Sequence, residues 1–130
     1  NIKHDISVPI SKIADFVLQT DRALAAAIPG VRIVNFGHLG DGNLHYNVQA
    51  PEGVDSAVFL ETSEATINTL VFDAVNAFGG SISAEHGIGS LKAHTLPKYK
   101  SPVALRMMRE IKRALDPKNI LNPGRVLAEG

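Results

Sequence analysis

Cysteine and tryptophan are absent from this chain, and aromatic residues make up only 5% of its 130 positions. Without cysteine there can be no disulfide, no thiolate metal site and no thiol nucleophile, so a metal held here would rest on imidazole, carboxylate or carbonyl donors. Net charge is missing too. Thirteen Lys and Arg offset thirteen Asp and Glu, so no field of one sign would draw the chain to nucleic acid or to an anionic membrane. Long apolar runs are also lacking: stretches such as Ala23 to Ile28 fall far short of the roughly 20 residues that a spanning helix needs. The opening "NIKHDISVP" has no initiator Met, basic leader or secretory apolar stretch. It reads as a piece cut from a larger protein, and as a cytoplasmic one.

What is present is the balance of a folded protein, 45% hydrophobic and 20% charged, at a length that one core can serve. Period-2 and period-3.6 patterns alternate with little between them, and residues 1–130 read as a single domain. Ile6 and Val8 interleave with Asp5 and Ser7 as a strand that Pro9 stops. Ser11 is placed to cap a helix carrying Ile13, Phe16, Val17, Leu24 and Ile28, ended by Pro29-Gly30. "VRIVNFGHL" and "LHYNVQA" flank Asp41-Gly42 as a hairpin. Ile67, Leu70, Val71, Ala74, Val75 and Phe78 then trace a helical stripe terminated by Gly79 and Gly80. "SISAE" alternates again, and a helix from about Pro102 to Leu115 follows. The order β-α-β-β-α-β predicts an α+β fold of the ferredoxin-like kind, an antiparallel sheet with both helices on one face plus a C-terminal helical extension.

With helices over one side of such a sheet, that side collects Ile6, Val8, Leu44, Tyr46, Val48, Ile82 and Ala84. The opposite parity holds Lys3, Asp5, Ser7, His45, Asn47, Gln49, Ser81, Ser83 and Glu85, an unusual concentration of chemistry for a solvent face. If Asp41 and Gly42 form a two-residue loop, His38 stands directly opposite His45. Two histidines beside a polar turn are ordinarily surface residues. Here their shared face, shared register and the carboxylate of Glu85 argue for the donor set of a catalytic divalent ion, suited to Zn²⁺, Mn²⁺ or Fe²⁺. In the strand order 4-1-3-2, the first strand separates Glu85 from His45 by about 9 to 10 Å.

"SAEHGIG" places His86 where a kink at Gly87 would swing it into the site as a general base. Lys3 on the open face could hold a substrate carboxylate by charge. His4 and His94 read as surface residues, and Met107 and Met108 as helix packing.

Taken in order, "KHDISVP", "GHLGDGNLHYNV", "SAEHGIG" and "DPKNILNPGRV" resemble the C-terminal domain of FAD-linked oxidases of the vanillyl-alcohol oxidase type. The likeness is to the 2-hydroxy acid branch, with the D-2-hydroxyglutarate and D-lactate dehydrogenases and the glycolate oxidase FAD subunit. The resemblance implies oxidation of a small 2-hydroxy acid to a 2-oxo acid, with hydride passed to FAD held mainly by a separate domain of the same parent protein. It further implies a divalent metal, Zn²⁺ or Mn²⁺, on His38, His45 and Glu85, with His86 as the base. Lys3 and Asn47 would touch substrate, and Asn122 would lie near the cofactor. No flavin-binding loop is legible, so the isolated chain should bind little FAD and turn nothing over. A face left without its partner domain would favour self-association into a homo-oligomer.

Two other readings fit parts of the pattern. A stand-alone ferredoxin-like binding module would leave the convergent polar face unexplained, and a metal-dependent hydrolase would lack a second acid or an oxyanion donor. A flavin-binding domain encoded upstream of Asn1 would decide for the oxidase.

Overall fold

Alternation of apolar and polar residues at the start of the chain produces an edge-to-centre ladder rather than an isolated strand. In the structure, a computed structural model that describes residues 1–129, β1 (Ile2–Ser7) pairs antiparallel with β3 (Asn43–Gln49), and β3 pairs antiparallel with β2 (Arg32–Phe36). The order β1-β3-β2 is the one expected for the first three strands. Between β1 and β2 runs α1 (Ile13–Ala27), entered through a 3₁₀ turn over Ile10–Lys12. Ser11 lies within that turn, and Lys12, not Ser11, stands at the N-cap of α1, with no side-chain cap hydrogen bond. A second helix, α2 (Ser56–Ala77), starts at Asp55, whose carboxylate accepts from Ala57 N and Val58 N at 2.9 and 3.1 Å. Such caps stabilise a helix by about 1 kcal/mol.

The helices cover one face. α2 packs on β1 and on α1, and its Ile67, Val71 and Val75 are completely buried, as are Ile6, Tyr46 and Val48 of the sheet. Each such side chain is worth about 1.5–3 kcal/mol when removed from water. Phe16 meets Tyr46 and Phe78 edge to face at 5.8 and 5.7 Å, the arrangement aromatic quadrupoles favour. The Tyr46 hydroxyl donates to Asp21 Oδ1 at 2.5 Å; burial first, and this carboxylate second, push its phenol well above the ordinary 10.0.

His4 belongs to the covered face. It is 2% exposed, with Nδ1 2.9 Å from the Tyr46 carbonyl and Nε2 2.7 Å from the Asn68 side-chain amide. The surface position expected for it is therefore corrected: it shares parity with Ile2 and Ile6, and long-range partners satisfy its ring.

The fourth strand is also corrected. "SISAE" makes a single antiparallel bridge, Ser7 to Ser81, outside β1. Gly80 permits that approach, since a Cβ there would come within 2.1 Å of the Ser7 carbonyl. Past the bridge the ladder slips by one residue, Ala84 N donating to Asp5 O at 3.2 Å, while Ser81 Oγ donates to Ser83 O at 2.8 Å and lifts the segment out. That local side-chain bond competes with strand pairing, and Ala84 is exposed rather than covered.

The backbone falls into two compact units, the sheet and its helices from Asn1 to Glu85 and a second from His86 onward. The second carries α3 (Leu96–Tyr99) and α4 (Pro102–Leu115), the latter with the bounds expected, capped by Ser101 and opened by Pro102. Asp116 organises the turn after α4: it accepts from Ile120 N and Leu121 N at 3.0 and 2.9 Å and from the Lys112 ammonium, which holds its carboxyl below the usual range. Among the described residues no helix is long and apolar enough to cross a membrane.

Candidate active site on the open sheet face

Three rows cross the face of the sheet opposite α1 and α2. Lys3, Asn47 and Val34 form one; Asp5, His45 and Phe36 the next; Ser7 and Asn43 the third. Directly opposed residues point to the same side, so the register itself places an ammonium, a carboxylate, an imidazole and two amides together.

The β2–β3 connection corrects the expected hairpin. Phe36, not His38, stands opposite His45. Leu39–Asp41 closes a 3₁₀ turn in which the His38 carbonyl accepts from Asp41 N and Asn43 N at 2.9 and 3.1 Å. Of the Asp41-Gly42 pair only Gly42 takes a positive φ, at 76°, so the type I′ geometry that needs both is not formed. A Cβ on Gly42 would also come within 2.4 Å of the Val8 carbonyl. The register slips by two residues and not one, which keeps His45 on its expected face while leaving exposed His38 in the loop.

Glu85 reaches the site despite its place outside β1. The slipped ladder turns its backbone towards Asp5, whose Oδ2 accepts from Glu85 N at 2.9 Å. Its side chain then crosses the strand, with Oε1 accepting from Asn43 Nδ2 at 2.5 Å and standing 3.9 Å from His45 Nε2. On the other edge of the imidazole, Nδ1 lies 4.0 Å from Asp5 Oδ1. The Phe36 ring leans over the same imidazole, centroids 5.0 Å apart and planes at 39°.

His45 and Glu85 thus converge, whereas His38 does not join them, and among the described residues no group of three or more His, Cys, Asp or Glu forms a metal-holding set. The donor chemistry suits a divalent ion, and two of the three expected donors are placed together. Lys3 and Asn47 are an opposed pair, Lys3 exposed and Asn47 8% exposed. His86 follows Glu85 in the chain and is exposed. In the second unit Asn122 is exposed, takes φ +49°, and lines a cavity of about 670 Å³ with Met108, Ile111, Lys112 and Arg125.

Sequence reasoning passed over three contributors. Asp5 was visible on the right parity without a partner to mark it; Asn43 and Phe36 depend on the turn geometry, which spacing alone does not reveal.

Comparison with known proteins gives the chain its relatives. The family model described as "FAD linked oxidases, C-terminal domain" matches residues 1–126. A D-2-hydroxyglutarate dehydrogenase of Stutzerimonas stutzeri is 41% identical over 126 residues, covering 97% of this chain and 27% of the relative. Another from Xanthomonas citri is 43% identical over 124 residues, covering 95% and 26%. A mitochondrial D-2-hydroxyglutarate dehydrogenase of Arabidopsis thaliana is 40% identical over 125 residues, covering 96% and 21%. The chain therefore spans about a quarter of the length of these relatives. One of them being mitochondrial by name, the cytoplasmic expectation gains no support from them.

Proposed function

The chain belongs to the FAD linked oxidases, C-terminal domain family, and from that premise we propose that it is the substrate-side part of an FAD-dependent dehydrogenase acting on a 2-hydroxy acid. The observation that carries this reading is the convergence of Asp5, His45, Asn43 and Glu85 on the open sheet face, one row from Lys3 and Asn47. D-2-hydroxyglutarate, which appears in the relatives' names, is the first substrate to assay.

His45 and Glu85 would supply two of the three donors expected for a divalent ion, His38 standing apart in the β2–β3 connection, and a separate domain would hold most of FAD, with Asn122 of this chain beside it. When bound, the ion supplies a Lewis acid for the substrate oxygens and FAD supplies a two-electron acceptor. The remaining work falls to this chain's side chains. The Lys3 ammonium pairs with the substrate carboxylate and fixes which end of the acid faces the sheet. The Asn47 amide, largely removed from solvent, holds a polar group of the substrate by a hydrogen bond that water does not easily replace. His86 accepts the hydroxyl proton through a ring nitrogen as the adjacent C–H bond is broken, leaving the 2-oxo acid.

The test uses the proposed full-length enzyme and follows flavin reduction under a 2-hydroxy acid. His86→Ala is expected to slow reduction by about 10²- to 10⁴-fold, the usual contribution of a general base, with flavin and metal content unchanged. Metal loss in that variant would exchange its role with that of Glu85, and full activity would remove it from the mechanism.

A further inference from the structure

The sheet face opposite α1 and α2 changes character from one edge to the other. Its β1 side carries Lys3 and Asp5, its centre His45 and Asn47, and its β2 side Val34 and Phe36. Arg32, at the start of β2, is tied back to the Ala50 carbonyl, to which its Nε donates at 2.9 Å. Val34 is 45% exposed and Phe36 59%. Single apolar residues are common on a surface, but these two follow each other on one face of one strand and border the polar groups directly. The Phe36 ring stands against the His45 imidazole, centroids 5.0 Å apart. The proposed chemistry draws on the β1 side and the centre and leaves the β2 side unused.

We infer that Phe36, with Val34 beside it, is a specificity-determining residue: its ring is the wall on which the carbons beyond C2 of the 2-hydroxy acid lie, and it limits the bulk allowed at C3. The inference deepens the proposed function and rests on it. Neighbouring strands are about 4.8 Å apart, so β1 and β2 are separated by on the order of 10 Å with β3 between them. An acid whose carboxylate pairs with Lys3 therefore has its C2 over β3 and its side chain directed towards β2. There the side chains of Val34 and Phe36 offer neither charge nor donor. Carbon gains by leaving water against them, whereas a polar group in the same place would lose its hydration without a partner. The Phe36 ring has the imidazole behind it, so a substituent at C3 that reached the ring would have to push it off His45. Apolar walls of this kind tell one methyl group from none by about 10- to 200-fold.

The experiment measures kcat/KM in the proposed full-length enzyme for D-2-hydroxyglutarate and D-2-hydroxybutyrate, each against its 3-methyl analogue. The unaltered enzyme is expected to favour the unmethylated acid of a pair by about 10- to 200-fold. Phe36→Ala and Phe36→Leu should each shrink that preference by about tenfold, whatever happens to the absolute rates, and Phe36→Tyr, which keeps the ring, should retain it. The leucine variant carries the test should the alanine variant not fold. An unaltered enzyme that treats both acids of a pair alike overturns the inference. So does an equal fall for both acids in the variants, since the ring would then serve only to hold His45. When neither acid reduces the flavin of the unaltered, flavin-loaded enzyme, the 2-hydroxy acid reading itself fails and the inference falls with it.

Discussion

His4 and His45 stand in neighbouring rows of the same two strands, His4 opposite Tyr46 and His45 opposite Asp5, yet they do opposite work. His4 faces the helices, 2% exposed, with a backbone carbonyl and an amide on its two nitrogens and the Phe72 ring edge-on at 5.4 Å. His45 faces outward between two carboxylates, with about a fifth of its side chain in contact with solvent. Strand parity alone separates a histidine that holds the core from one that stands near two carboxylates on the opposite face. The residue type is the same; the partners decide its chemistry.

The sharpest break of this contrast is on stability. His4→Ala leaves a cavity and strands the Tyr46 carbonyl and Asn68, so urea unfolding should show a loss of about 2–4 kcal/mol. A loss under about 0.5 kcal/mol would mean the core face is not held as described. Tyr46→Phe, on the covered side of the same strand, should cost about 1 kcal/mol through the hydrogen bond to Asp21. Its pH dependence carries a sign. The phenol is raised above 10.0 in the folded chain, so its contribution is present below that value. As pH rises past it, the unfolded state releases a proton that the folded state keeps, and stability falls. Tyr46→Phe should flatten that alkaline decline in a series of unfolding curves, and an identical decline would assign it elsewhere. Smallest on stability are the open-face changes. His45→Ala and Phe36→Leu should each shift it by no more than about 0.5 kcal/mol.

Much of this contrast was legible in sequence, because alternation along β1 and β3 marks the two faces without knowledge of partners. Lys3, Asp5, His45 and Asn47 fall on the open side as their parity requires. The parity of His4 matches Ile2 and Ile6, but what satisfies it, Asn68, lies 64 residues away, beyond any local pattern. His38 leaves the expected register because Asp-Gly permits more than one turn, and here a 3₁₀ turn moves the register by two residues. Regular pairing of "SISAE" would put Glu85 too far from His45. The hydroxyl of Ser81 instead binds the Ser83 carbonyl, the ladder slips, and the carboxylate crosses β1. Each miss arises where a side chain or a single glycine overrides the repeat of the backbone.

The open face as the catalytic surface is tested most directly by single-turnover flavin reduction with D-2-hydroxyglutarate in the proposed full-length enzyme carrying His45→Ala. The expected result is a rate at least about 100-fold below that of the unaltered enzyme, with FAD content and folding unchanged. An undiminished rate in a folded, flavin-loaded variant would contradict it.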